Sequence, residues 1–449
     1  MLTESKARLL VDPDTGVVSR KIFADPDIYE REQDCIFRHC WLFVGHESML
    51  PSTGDFISNY MGEDPVIVWR GRSGLPQVFL NTCPHRGNKL CLFDRGNAPA
   101  LTCSYHGWTF NTEGKLTGVP FERLAYDDAL DHEANGLKTA KVATYSGLIF
   151  ASWDPSVPSL DAYLGELRWW LDVFIGHQDF GGMQCIPSAQ KYRMPGNWKL
   201  TADNFIGDFY HVPITHASFL RLFGRMSDEA YRGSPTGSFN FALEPAHGVG
   251  AVATDDRQLQ RDLGIAQFLG PEAVEWVKER AARLKARVPG PAKPDGFVAG
   301  ATFPNMTFQG SGAFEGELLA LAHPRGPNYH EVWQWLLFER DAPTIVRQYA
   351  AAWTARRQSA AGLVGSDDGE NFERIAENTR TPMTSELTFH YGMALRRDNE
   401  GLDAGGKTRD DWQIQGLPGT PSRAHFSEVN QRGFYRYWAR QMGLEGTPA

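Results

Sequence analysis

Two short segments carry the strongest chemical signal in this chain. Cys83-Pro84-His85-Arg86-Gly87 and Cys103-Ser104-Tyr105-His106-Gly107-Trp108 each hold one cysteine and one histidine, and seventeen residues lie between His85 and Cys103. A [2Fe-2S] cluster with two thiolates on one iron and two imidazoles on the other asks each of two facing loops for one ligand of each kind. A structural zinc site also accepts two Cys and two His, but zinc fingers run Cys, Cys, His, His with like ligands paired. Here the order alternates, a single residue separates Cys83 from His85, and the glycine after each His lets its loop turn tightly. Spacing therefore favours the iron cluster over zinc.

A second constellation lies in residues 197–216, Asn-Trp-Lys-Leu-Thr-Ala-Asp-Asn-Phe-Ile-Gly-Asp-Phe-Tyr-His-Val-Pro-Ile-Thr-His. Asn204, Asp208 and His211 fall at i, i+4 and i+7, which predicts one face of a helix. His216 sits roughly 140° from His211 on an ideal helix. Pro213 predicts a kink or break between them that lets both imidazoles converge. Two unrelated histidines on a partly buried helix are the plain alternative. A carboxylate follows in Val364-Gly365-Ser366-Asp367-Asp368-Gly369-Glu370-Asn371. Two His and one carboxylate with open positions beside them form the facial triad of non-haem Fe(II) oxygenases, although an acidic, Gly-containing run is otherwise an ordinary solvated turn.

The elements that must hold these groups read as α+β. Asp25 is a plausible cap for a helix from Pro26 to Cys40. Short β-rich runs follow at Asp64–Arg70, Gln77–Leu80 and Gly147–Trp153, broken by Gly, Pro and Asn, which predicts a small antiparallel domain around the first motif. Asp154-Pro155-Ser156-Val157-Pro158-Ser159 marks a boundary. Helical patterns at Leu160–Ile175, Pro271–Val288 and Pro343–Leu363 and a strand at Val332–Glu339 belong to the second domain. The 449 residues, 42% hydrophobic, suffice for two cores. There is no run of twenty apolar residues, so no membrane span is expected. The first eight residues lack the apolar core of a secretory signal, so the chain is expected to be cytoplasmic. Cys35, Cys40, Cys91 and Cys185 are scattered like reduced thiols, and a net charge of -9 argues against a nucleic-acid partner.

Together the motifs resemble those of the large (α) subunits of Rieske non-haem iron aromatic-ring-hydroxylating dioxygenases, the naphthalene and biphenyl dioxygenase group. The resemblance runs from the two Cys/His loops through Asn197-Trp198-Lys199, the Asp-x-x-His-x-x-x-x-His segment and the Asp pair to Gln431-Arg432-Gly433-Phe434-Tyr435. It implies an N-terminal helical segment over 1–40 packing on the catalytic domain, a Rieske domain over 41–155, and a helix-grip catalytic domain over 156–449. The last would carry a curved antiparallel sheet and flanking helices. Cys83, His85, Cys103 and His106 match the cluster ligands, and His211, His216 and Asp368 the iron ligands. Asp368 is chosen over Asp367 because the family's ligand is the second of the pair. Asp208 matches a buried carboxylate that links a cluster His of one subunit to an iron His of the next. Asn204 would sit near the iron, and Tyr105 and Trp108 would support the cluster loops. Gly365 departs from the Glu common at that place.

The implied activity is cis-dihydroxylation of an aromatic ring with O2. Electrons would come from NAD(P)H through a reductase and a ferredoxin, and a small β subunit would complete an α3β3 hexamer, or none an α3 trimer. A monohydroxylating or demethylating oxygenase is the close variant, and an electron carrier without catalytic iron is the distant one. Arg70, Arg72, Arg86, Lys89, Arg95 and Lys115 form a local basic concentration on an acidic chain, a place for an acidic ferredoxin. Phe205, Val212, Phe219, Leu220, Phe303, Asn305 and Phe308 are candidate pocket residues for an apolar arene. An aromatic acid held by an arginine stays open.

Overall fold

The structure is a computed structural model that describes residues 10–186, 188–222, 238–252, 257–287, 298–310, 312–400, 417–422, 424 and 426–444. The first eight residues and the end of the helix expected to reach Val288 lie outside these. Two compact units are formed. One is Gln33–Tyr163, and the other combines the chain up to Glu32 with the chain from Leu164. The divisions fall away from residues 40 and 155 for visible reasons. On the N-terminal side Gln33 Oε1 accepts from the Glu63 N–H at 3.2 Å. On the other side Trp41 Nε1 donates to the Pro158 carbonyl at 2.8 Å and Asp154 lies 3.0 Å from His39 Nδ1, so the Pro/Ser segment is tied into the smaller unit. The Pro26–Cys40 helix is in fact an α-helix, Pro26–Glu32, followed by a π turn, Gln33–Phe37.

The smaller unit is built of three antiparallel sheets. Asp55–Met61, Asp64–Arg70, Pro76–Leu80 and Arg95–Asn97 form a four-stranded one; Leu42–His46, Lys141–Tyr145 and Leu148–Ser152 a second; and Ala100–Thr102, Thr109–Asn111 and Leu116–Gly118 a third. Their aromatic residues close over the cysteines: Phe56, Trp69, Phe79, Trp108 and Phe110 share one core with Cys83, Cys91 and Cys103. Burial of such side chains, at roughly 25 cal/mol per Å2 of apolar surface, holds loops that have little regular structure of their own.

The larger unit is organised on one antiparallel sheet. Its strands are β1 (Met183–Cys185), β2 (Gln190–Pro195), β3 (Ser238–Leu243), β4 (His247–Val252), β5 (Val298–Thr302), β6 (Met306–Gly310), β7 (Glu317–Pro324), β8 (Tyr329–Glu339) and β9 (Thr420–Pro421). The order is β1-β8-β7-β6-β5-β4-β3-β9, and β2 pairs with β8 beyond β1. Four helices matter for the site: α1 (Trp198–Phe205), α2 (Val212–Thr215), α3 (Gly365–Thr379) and α4 (Val429–Gln441). The pattern expected at Leu160–Ile175 is split into Leu160–Leu164 and Leu167–Phe174 at Gly165, whose φ is +51°. No helix among the described residues is long and apolar enough to cross a membrane.

Candidate metal centres

The two Cys/His loops adopt the same conformation. Gly87 N–H donates to the Cys83 carbonyl and Gly107 N–H to the Cys103 carbonyl, each at 2.9 Å, while the Cys83 and Cys103 N–H groups reach the Asn88 and Trp108 carbonyls at 2.8 Å. Both glycines hold positive φ, +71° and +77°, which few other residues adopt without strain. Cys83 and Cys103 are buried side by side, and the rings of His85 and His106 approach with centroids 4.4 Å apart. Trp108 stacks on His85 at 4.8 Å and Tyr105 lies 3.8 Å from His106. Burial opposes ionisation of Cys103, but the Tyr105 N–H and the Asn88 amide point at its sulfur and its pKa is lowered. Cys83, where burial dominates, is pushed up. Burial, with the neighbouring His106 and Arg86 charges, pushes His85 down and favours a neutral imidazole. Two thiols together and two imidazoles together are the donor set a Rieske cluster requires, with the rings partly exposed and the sulfurs not.

The second constellation is assembled differently from the sequence expectation. Helix α1 begins at Asn197, whose Oδ1 caps the Lys199 N–H at 3.2 Å. The fully buried Lys199 pairs with Glu32. Glu32 also takes Trp198 Nε1 and Trp438 Nε1 at 2.8 Å, which clamps α1 to α4 and gives the Asn-Trp-Lys segment its role. The helix ends at Phe205, ahead of Pro213. Gly207 turns the chain with φ +133°, and Asn430 of α4 donates to the freed Ile206 carbonyl at 2.7 Å. Asp208 is therefore in the turn after the helix and shares no helix face with Asn204. Pro213 starts the short helix α2, where its missing N–H costs nothing. The expected Asp-Asp turn is instead the first turn of α3, where the helix dipole favours carboxylates. A Cβ at Gly365 would lie 2.9 Å from the Ser359 carbonyl oxygen, so the tight entry to α3 leaves no room for a larger residue.

The chain path nevertheless brings His211, His216 and Asp368 together, with one ligand atom of each within 4.8 Å of the others. Asp368 Oδ1 is 3.6 Å from His211 Nε2 and 3.3 Å from His216 Nε2. Each imidazole is held from behind by another carboxylate: Asp208 Oδ2 lies 3.2 Å from His211 Nδ1, and Asp367 Oδ2 lies 3.2 Å from His216 Nδ1. Protonation at Nδ1 frees both Nε2 atoms for a metal. Burial opposes charge on His211, but Asp208 and Asp368 outweigh it and its pKa is raised. Asn204 Nδ2 is 3.5 Å from His211 Nε2. A cavity of about 390 Å3 opens beside these groups, lined by Asn204, Asp208, His211 and Asp368 and walled by Arg20 and Phe389.

None of the seven candidate pocket residues lines that cavity. Phe303 is packed on Phe434 and Tyr437, and Asn305 is tied to the Ala322 carbonyl at 3.1 Å. Phe308 lies across Gly300 on the sheet face opposite the site. Sequence reasoning missed Asp367 as the partner of His216 and Asp203 as the acceptor for Tyr391 and Tyr435 at 2.6 and 3.0 Å. Adjacent residues of a helix do not share a face, so no spacing rule pointed to the first, and nothing local pointed to the second.

Two family models match the chain. A family model described as Rieske [2Fe-2S] domain matches residues 40–139, and one described as ring hydroxylating alpha subunit (catalytic domain) matches 187–444. The α subunit of biphenyl 2,3-dioxygenase from Rhodococcus jostii is 37% identical over 443 residues, covering 96% of this chain and 90% of that protein. The α subunit of benzene 1,2-dioxygenase from Pseudomonas putida is 35% identical, covering 98% and 94%. The crystal structure of naphthalene 1,2-dioxygenase from Rhodococcus sp. bound to indole superimposes with a TM-score of 0.82 at 28% identity and full coverage of both chains. With two loops shaped for the cluster and a turn shaped for the iron, the chain belongs to the Rieske-type aromatic-ring-hydroxylating dioxygenase α subunits.

Proposed function

We propose that the chain is the terminal oxygenase that converts an arene, O2, NAD(P)H and a proton into a cis-dihydrodiol and NAD(P)+. The observation that carries this reading is the convergence of His211, His216 and Asp368 beside an open cavity, in a chain that also holds the cluster loops. A bound Rieske cluster supplies electrons one at a time, and a bound mononuclear Fe(II) supplies O2 activation. Cys83, His85, Cys103 and His106 hold the first, and His211, His216 and Asp368 the second. Asp367 and Asp208 fix the tautomers of the two iron-side imidazoles, and Asn204 reaches toward the same metal position.

Asp208 keeps 35% of its side chain exposed, which leaves it accessible to a cluster imidazole of a neighbouring subunit. An α3β3 or α3 assembly would supply that neighbour. Arg72, Arg86, Lys89, Arg95 and Lys115 are exposed around the cluster loops, and an acidic ferredoxin docks there. Its reduction rate slows as the screening length shrinks toward about 8 Å at physiological ionic strength. A monooxygenase or an electron carrier would fail a single-turnover test. Reduced protein mixed with 18O2 and biphenyl gives a dihydrodiol carrying both labelled atoms; a monohydroxylated product or none contradicts the reading.

A further inference from the structure

On the sheet face that meets the iron-side residues, two buried polar side chains of the described residues keep an unpaired atom: Asn240, whose Oδ1 is unpaired while its Nδ2 donates to the Ser427 carbonyl at 2.6 Å, and Gln309. Gln309 of β6 is 4% exposed, and its Nε2 has no hydrogen-bond partner. Buried amides are nearly always paired, so an orphan in a native site points to a missing ligand. Strand register fixes its direction. Paired residues of antiparallel neighbours share a face, so Gly250, Ala299, Gln309 and Leu318 form one row across β4, β5, β6 and β7. At one end of that row a Cβ on Gly250 would lie 2.3 Å from the ring of Phe209, two residues before His211. On the far flank of the same face, Tyr192 of β2 takes Gln334 Nε2 at 2.9 Å and lies near enough to Asp368 for that charge to oppose its ionisation. Gln309 stands between these flanks, two strand spacings or about 10 Å from Gly250. The row between holds only Ala299, and Leu318 follows on the other side, so neither cross-strand neighbour offers the amide a partner.

We infer that Gln309 is a specificity residue whose amide donates to a hydrogen-bond-accepting substituent of the substrate, so that this oxygenase prefers an arene bearing a carbonyl or similar acceptor over the bare hydrocarbon. The inference rests on the oxygenase reading for the identity of the ligand as an arene. The Phe209 ring fills the space over Gly250, the small Ala299 keeps the row low between that ring and Gln309, and Gln309 supplies the polar group at its edge. A hydrocarbon placed there leaves the amide unpaired, whereas an acceptor pairs it.

The test uses matched shapes, ethylbenzene with acetophenone and fluorene with 9-fluorenone, and the purified iron-loaded holoenzyme. Dissociation constants are measured by equilibrium dialysis and kcat/KM by oxygen uptake. In the wild type each ketone is expected to bind at least fivefold tighter than its hydrocarbon. Gln309→Met, similar in length but without a donor, lowers the ketone-to-hydrocarbon preference about tenfold while keeping iron content and hydrocarbon affinity. Gln309→Leu, which fills similar space and has no donor, loses the ketone preference as well. Equal ratios in wild type and both variants overturn the inference, and so does loss of iron or of folded structure in Gln309→Met, which would make the side chain a structural strut. If no arene is oxygenated but the binding preference is present and collapses in Gln309→Met, the inference holds and the dioxygenase reading is what fails.

Discussion

At the scale of single residues, the iron-side centre is a set of paired carboxylate and imidazole contacts, and each contact makes a separate demand. Asp367 touches His216 only through Nδ1. Asp367→Asn can accept the same hydrogen bond without the charge, so the iron site should form but weaken, by about 10- to 100-fold in metal affinity. Titration of the iron-depleted protein with Fe(II) checks this, and unchanged affinity would remove Asp367 from the site. Asp208 already receives the Tyr210 and His211 N–H groups at Oδ1 and faces His211 Nδ1 with Oδ2. Asp208→Asn keeps the size but turns one oxygen into a donor, at a cost of about 1 kcal/mol for a mismatched contact that is partly exposed on the Asp208 side. Both metals should stay bound while product formation nearly stops. Stopped-flow cluster oxidation and single-turnover yield at wild-type rates would make Asp208 an ordinary turn carboxylate. Asp368 and Asp208 took their roles from the family resemblance, but the Cys/His loops and the histidine pair were legible from residue type and spacing, because metal ligands must be His, Cys or carboxylate. Asp367 was not, because a hydrogen bond behind an imidazole leaves no spacing rule.

At the scale of elements, the sequence named the break in the histidine segment but placed it at the wrong residue. Proline is the stronger helix breaker on paper, yet Pro213 sits where a helix starts, and the turn is made by Gly207 because Asn430 and Asn240 crowd the position. Those neighbours come from α4 and β3, far away in sequence, so no local rule could weigh them. Gly207→Ala would force a side chain into a φ of +133° and within 2.8 Å of the Asn430 amide. A loss of about 2 kcal/mol or more in unfolding free energy is expected, together with a fall in iron content as His211 shifts. Denaturant unfolding and iron assay together check this; wild-type values for both would mean that the turn is not what sets the histidine. The strands fared better. Asp64–Arg70 was read to the residue because its apolar run is bounded by a tight turn, and Phe308 was misplaced because a one-residue parity error sends a side chain to the opposite face.

At the scale of the whole molecule, two units with separate cores were legible from composition and punctuation, but their limits were not, since Trp41 and His39 recruit the Pro/Ser segment through long-range contacts. Stability of the larger unit should also depend on pH through Asp203, which joins α1 to Tyr391 and Tyr435. Burial, with the Asp208 charge adding to it, pushes this carboxyl up from 3.8 to about 7. Between those values the unfolded chain binds fewer protons than the folded one, so stability falls as pH rises from about 4 to about 7. The slope is at most about 1.4 kcal/mol per pH unit, and less because Asp203 is only half-buried. Asp203→Asn retains an oxygen for both tyrosines and should flatten that slope in thermal melts; an unchanged slope would assign it to other groups.

One chain is expected to carry a two-iron cluster in one unit and a third, separate iron in the other. The most direct test is the ratio of iron to acid-labile sulfide per chain in the wild type and in Asp368→Ala. Three irons and two sulfides are expected in the wild type, and two irons with both sulfides in the variant, since only the site of His211, His216 and Asp368 is opened. Two irons in both proteins, or stoichiometric zinc without sulfide, would contradict it.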